Sequence, residues 1–216
     1  HPSLGLVPPE QFIPVAEECG LIELIGEWIL RSVCVQGKAW LDAGHPPLRL
    51  AVNVSVRQLM AEGFVDAVKE ALEDTGFPAS QLDLEITESS IQTVEHSKEL
   101  LGRIRQLGTS ISIDDFGTGF SSLSLLKHLP IDRIKIDRAF TRDLPHDQSD
   151  AEITKAIVAL AKILKLRLIA EGVENAAQHE MLLSLGCEEA QGFLFSRPLP
   201  ATEATALLLG SNGRPH

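Results

Sequence analysis

Hydrophobic and polar positions alternate with a period of two in short runs along this chain, and each run is followed by a longer stretch of helical period. The runs are LRLAVNV (48–54), LDLEIT (82–87), SISID (110–114), RIKID (133–137), RLIAEG (167–172) and EEAQGF (188–193), six strand candidates in all. Between them the spacing predicts helices over Val56–Asp74, Ile91–Gln106 and Glu152–Leu164. Before the first strand, Ile22, Ile25, Ile29, Val33 and Trp40 mark a long amphipathic helix. Such alternation of strand and helix implies an α/β fold with parallel strands.

Side-chain parity within the strands sharpens this, because successive residues point to opposite faces. Leu48, Leu50, Val52 and Val54 share one face and Asn53 takes the other; likewise Leu82, Leu84 and Ile86 oppose Glu85. Ile111 and Ile113 oppose Asp114, Ile134 and Ile136 oppose Lys135, and Leu168 and Ala170 oppose Glu171. In an open sheet covered by helices on both faces, this charged row would meet an apolar layer at a large cost for each unpaired group. A (β/α)8 TIM-like barrel removes the conflict: apolar residues face the helices, and polar ones point inward at the wet carboxyl end. Such a barrel has eight strands, so about two N-terminal strands are expected to be absent from this sequence. A complete six-stranded open α/β domain is the alternative that parity leaves standing.

Composition narrows the partners. With 44% hydrophobic residues over 216 positions the chain can bury a sizeable core, and 19 basic against 30 acidic residues give a net charge of −11. No Lys/Arg-dense stretch exists to hold a DNA or RNA polymer, and an anionic ligand would need metal ions to approach. Three cysteines, Cys19, Cys34 and Cys187, without CxxC spacing suggest neither a disulfide framework nor a zinc site, which fits a reducing, cytoplasmic setting. The most membrane-like stretch, Ile153–Ala170, is interrupted by Lys155, Lys162, Lys165 and Arg167, so no membrane contact by this domain is expected. The chain opens on a polar, Pro-rich segment without the apolar region of a signal peptide.

Asn53, Glu85, Asp114, Asp115, Lys135 and Glu171 all fall at or near the carboxyl ends of successive strands, where barrel enzymes assemble their sites. Carboxylates with an amide suit hard cations such as Mg²⁺ or Mn²⁺, and adjacent Asp114 and Asp115 suit two metals about 4 Å apart clamping a phosphate ester. Asp115 breaks the inward parity and is expected to turn back as the strand ends. Each residue also has a plainer reading. Asn53 suits a loop or cap, Glu85 and Lys135 a structural ion pair, and Glu171 with Glu174 the decoration of a helix start. DDFGTGFSSL (114–123) superficially resembles a nucleotide loop. However, Ser122 replaces the third glycine and two aspartates precede it, so Gly117 and Gly119 are read as turn residues, with Ser121 or Ser122 capping the next helix. QGFLFSRPL (191–199) follows the last strand and is either a phosphate-side loop or a plain exit loop.

Taken together, HPSLGLVPPEQFI, NVS, LEITES, DDFGTGFSSL, IKID, AEGVE and QGFLFSRPL resemble, in order and spacing, the EAL-domain phosphodiesterases of bacterial cyclic-di-GMP signalling. The resemblance implies a (β/α)8 barrel that cuts cyclic-di-GMP to linear pGpG with two Mg²⁺ or Mn²⁺ ions. It implies Asn53, Glu85 and Asp114 on one metal, Asp114 and Asp115 around the second, and Lys135, Glu171 and Asp115 as catalytic residues, Lys135 and Glu171 acting on the nucleophilic water. Gln191, Gly192 and Asp137 would bind substrate. Glu88 would fix the loop from Asp115 to Ser122, including Phe116, Gly117, Thr118 and Gly119, and couple metal binding to dimerisation. Lys135 is expected to keep its charge beside carboxylates, leaving the base role to Glu171 or a metal-activated water. The expected domain is 1–209, incomplete at its N-terminus, with 210–216 a C-terminal tail. The resemblance implies that the family's Glu-Ala-Leu signature, whose glutamate is a metal ligand, lies just upstream of the segment that begins here with His1, so it is expected to fall outside this sequence; Glu70-Ala71-Leu72, far downstream, is not at that position. A homodimer with upstream sensory or GGDEF modules is expected for the longer protein, and weak activity for this stretch alone. A catalytically inactive cyclic-di-GMP receptor is the alternative; a carbon-acid enzyme using Lys135 as base is a third reading.

Overall fold

The computed structural model describes residues 2–3, 5, 7–93, 97–119 and 123–210. All six expected strands form: β1 (Leu50–Val54), β2 (Leu82–Thr87), β3 (Ser110–Phe116), β4 (Arg133–Ile136), β5 (Arg167–Ala170) and β6 (Glu189–Ala190). They make one parallel sheet in the order β1-β2-β3-β4-β5-β6. A doubly wound sheet reverses its strand order at a switch point. Here each strand lies beside the next one in sequence, the order of a TIM-like barrel wall. Among the described residues no pairing joins β6 back to β1.

The apolar strand face is the core. Val52, Val54, Leu82, Leu84, Ile86, Ile111, Ile113, Ile134 and Ile136 are all buried, packed with Leu30 and Cys34 of the helix Ile22–Asp42, Val65 and Val68 of Phe64–Thr75, and Ile157 and Val158 of Gln148–Leu164. The helix Ile22–Asp42 buries its residues 22, 26, 30, 34 and 37, the three-to-four spacing of an inward stripe.

Two helix expectations are corrected. The single helix expected over Val56–Asp74 is two, Val56–Met60 and Phe64–Thr75. Ala61 is extended and Gly63 takes a left-handed φ of 96°, which a glycine adopts without the steric cost of a side chain. The helix expected over Ile91–Gln106 starts earlier, at Glu88; its described residues are helical over Glu88–Thr93 and Ser97–Gln106, and residues 94–96 lie outside the described ones. The capping role expected of Ser121 or Ser122, and the tail after 210, lie outside the described residues. Among the described residues no helix is long and apolar enough to cross a membrane.

Candidate active site

Parity delivers the polar face as expected. Asn53 lies in register with Glu85, Glu85 with Ser112, and Thr87 with Asp114, so the carboxyl ends of β1 to β3 meet at one level. Lys135 projects from β4 into their midst. Its Nζ lies 2.8 Å from Glu85 Oε2, 3.1 Å from Asp114 Oδ1 and 2.6 Å from Glu171 Oε1, and its side chain is only 3% exposed. Burial by itself would lower the lysine's pKa, but the charges of Glu85, Glu171 and Asp114 and the hydrogen bond to Glu171 outweigh it and raise it, so the ammonium stays charged. Burial raises the pKa of Glu85 and of Glu171, and Lys135 pulls against it in both.

Asp115 reaches the same place by a route that strand parity does not contain. Between β3 and β4 the register runs from Ile113 opposite Ile134 to Phe116 opposite Ile136, three steps on one strand against two on the other. That extra residue is a β-bulge. Asp115 absorbs it with a φ of 53°, a left-handed conformation that aspartate tolerates better than most residues. The strand therefore does not end at Asp115, as the sequence suggested, but continues to Phe116 with the aspartate re-aimed within it. Asp114, Asp115 and Glu171 each bring one carboxylate oxygen within 4.8 Å of the others. Burial, the Asp114 charge and a hydrogen bond to Asp137 push the Asp115 carboxyl up to about 6.

The donor set fits hard divalent cations. Every candidate ligand atom is oxygen, three carboxylates converge, and among the described residues no cysteine or histidine joins them, which favours Mg²⁺ or Mn²⁺ over zinc. Asn53, exposed on β1, and Glu85 extend the donors along one rim.

The plainer readings separate here. Glu85 and Lys135 do form an ion pair, but one shared with Asp114 and Glu171. Glu174 pairs with Arg138 instead, and the following helix is capped by Asn175. Asn53 is a strand residue, since the capping box after β1 belongs to Ser55 and Gln58.

Glu88, 2% exposed, accepts hydrogen bonds from the backbone N–H of Gly117 (2.9 Å) and of Gly119 (3.2 Å) through Oε2. Thr118 closes the same turn by donating its hydroxyl to the Asp115 carbonyl at 2.8 Å. Gly117 has a left-handed φ of 101°, and a Cβ on Gly119 would lie 2.9 Å from the Glu88 carboxyl carbon. Asp137 caps the short helix Arg138–Thr141 by accepting from Ala139 N–H at 2.7 Å. Gln191 and Gly192 follow β6, the main-chain carbonyl of Gln191 accepting from Val173 N–H at 3.0 Å.

Sequence reasoning missed a second polar layer below the first. Asp83, Ser112 and Arg133 point inward two positions before Glu85, Asp114 and Lys135, and all three are buried. The alternation that picked out Glu85 and Lys135 also assigns Asp83 and Arg133 inward, so the signal was present.

Comparison with known proteins agrees with this fold. The family model described as EAL domain matches residues 1–198. A bifunctional diguanylate cyclase/cyclic di-GMP phosphodiesterase of Pseudomonas aeruginosa, MucR, is 49% identical over 207 residues, covering 95% of this chain and 30% of that protein. The cyclic di-GMP phosphodiesterase NbdA of the same organism is 46% identical over 201 residues, covering 93% of this chain and 26% of that protein. The chain thus spans less than a third of the length of these relatives. The solved structure of the PaMucR phosphodiesterase in complex with c-di-GMP superposes with a TM-score of 0.92 at 49% identity, over 94% of this chain and 83% of that one.

Proposed function

This chain belongs to the EAL domain family, and we propose that it is the catalytic domain of a metal-dependent phosphodiesterase that hydrolyses cyclic-di-GMP to linear pGpG. The observation that carries the reading is the convergence of Asp114, Asp115 and Glu171 within 4.8 Å beside a charged, buried Lys135, in a chain 49% identical to a named cyclic di-GMP phosphodiesterase.

Asn53, Glu85, Asp114 and Asp115 would hold two divalent ions, which when bound would offset the phosphate charge and activate the attacking water. Lys135 fixes Glu85, Asp114 and Glu171 relative to one another and presents positive charge to the phosphate as negative charge grows on it. Glu171, held by Lys135 through Oε1, would accept the proton of the attacking water. Gln191, Gly192 and Asp137 would bind the nucleotide. Glu88 holds the turn at Asp115–Gly119, so the position of Asp115 depends on that clasp and, in a homodimer, on whatever presses on the loop. The domain is taken as residues 1–209, within a protein carrying sensory or GGDEF modules.

Incubating the intact protein with cyclic-di-GMP and Mg²⁺ or Mn²⁺, and following pGpG by chromatography, tests the reading. Formation of pGpG supports it. Binding without product makes the domain a receptor, and neither binding nor product overturns the substrate assignment.

A further inference from the structure

The layer beneath the site is held by one arginine. Arg133 Nη1 donates to Asp83 Oδ2 at 2.9 Å, and Ser112 Oγ donates to the same oxygen at 2.7 Å. Arg133 Nη2 lies 3.4 Å from Glu189 Oε2. The side chains of Arg133 and Asp83 are 4% and 2% exposed. Arg133 stands on β4, Asp83 on β2 and Glu189 on β6, so this one side chain ties three strands that are not neighbours in the sheet. Two residues further along, β4 and β2 carry Lys135 and Glu85, Gln191 follows the end of β6, and Ser112 precedes Asp114 by the same interval on β3.

We propose that Arg133, braced by Asp83, is a positioning residue for the reaction: by fixing the spacing of β2, β4 and β6 it sets the distances among Glu85, Asp114 and Lys135 above it. Stability does not account for the arrangement, because a buried ion pair replaced by apolar side chains of similar size is often neutral or stabilising. Two polar atoms of the pair, Asp83 Oδ1 and Arg133 Nε, are buried with no hydrogen-bond partner among the described residues, a further cost that packing alone would not retain. Geometry does account for it. Hydrogen-bonded charges fix direction as well as distance, and catalytic groups displaced by about 1 Å lose on the order of 10²-fold in rate.

This inference rests on the proposed phosphodiesterase reading, and the test keeps the two apart. In the intact protein, Asp83→Leu with Arg133→Met removes the pair while keeping volume, and Arg133→Lys keeps the charge without the fork. Thermal melting, kcat and KM for cyclic-di-GMP, and Mn²⁺ affinity by electron paramagnetic resonance without substrate are measured for each. The double variant should melt near the wild type, bind Mn²⁺ at least ~10-fold more weakly, and lose ~10²-fold in kcat with KM changed little. Arg133→Lys should recover part of both losses, and it is the variant to read if the double one does not fold. Wild-type kcat and Mn²⁺ affinity in a folded variant lacking the guanidinium would overturn the positioning role. Absence of turnover in the wild type would instead sink the phosphodiesterase reading, and the Mn²⁺ comparison would still decide whether Arg133 organises the site.

Discussion

Lys135 is where the chemistry of the site is concentrated. Its ammonium is the only cation within reach of Glu85, Asp114 and Glu171 among the described residues, and all three bond it directly. Lys135→Met keeps the length of the side chain and removes the charge, so kcat should fall at least ~10²-fold, the scale of a lost electrostatic donor, while KM changes little. Steady-state kinetics on the variant check this, and a change confined to KM would assign the lysine to substrate binding. The cysteines make a simpler residue-level test. Burial pushes the Cys34 thiol up to about 11, and burial with partial relief from backbone hydrogen bonds does the same for Cys187, whereas Cys19 is exposed. Thiolate is the reactive form, so a maleimide at pH 8 should label Cys19 alone in the folded protein. Peptide mapping reads the sites, and labelling of Cys34 or Cys187 would contradict the packing.

Single residues also mark what the sequence could and could not disclose. Asn53, Glu85, Asp114, Lys135 and Glu171 were legible because a period of two is written into each strand by itself. Asp115 was legible as a residue but not as a geometry. Its turn depends on a bulge between β3 and β4, a mismatch between two strands that neither states alone. Arg133 and Asp83 were legible by the same alternation as their neighbours, yet a polar residue one layer deeper is easily read as the strand's start.

At the level of elements, strands were read more accurately than helices. Each strand is bounded by polar or glycine positions, but the break at Gly63 interrupts a stretch whose apolar spacing continues through it. The most consequential connection is the turn after β3, which hangs on the Glu88 carboxylate at the start of the next helix after β2. Removing that acceptor in Glu88→Ala leaves the Gly117 and Gly119 N–H groups to water and should cost about 1–2 kcal/mol. Turnover should fall further than that loss explains, because Asp115 begins the same turn. Urea unfolding beside kcat separates the two effects, and unchanged turnover in a destabilised variant would show that the clasp serves folding only.

For the molecule as a whole, strand order and charge make one picture. A sequential parallel sheet gathers its carboxyl ends at one mouth, and in a chain of net charge −11 that mouth carries Glu85, Asp114, Asp115 and Glu171 around one lysine. Two phosphates of an anionic dinucleotide would be repelled there unless divalent cations offset the carboxylates. The most direct test is pGpG formation from cyclic-di-GMP by the intact protein, first in excess chelator and then after Mn²⁺ or Mg²⁺ is restored. The account predicts no turnover in chelator and recovery on adding metal; an undiminished rate in chelator would contradict it.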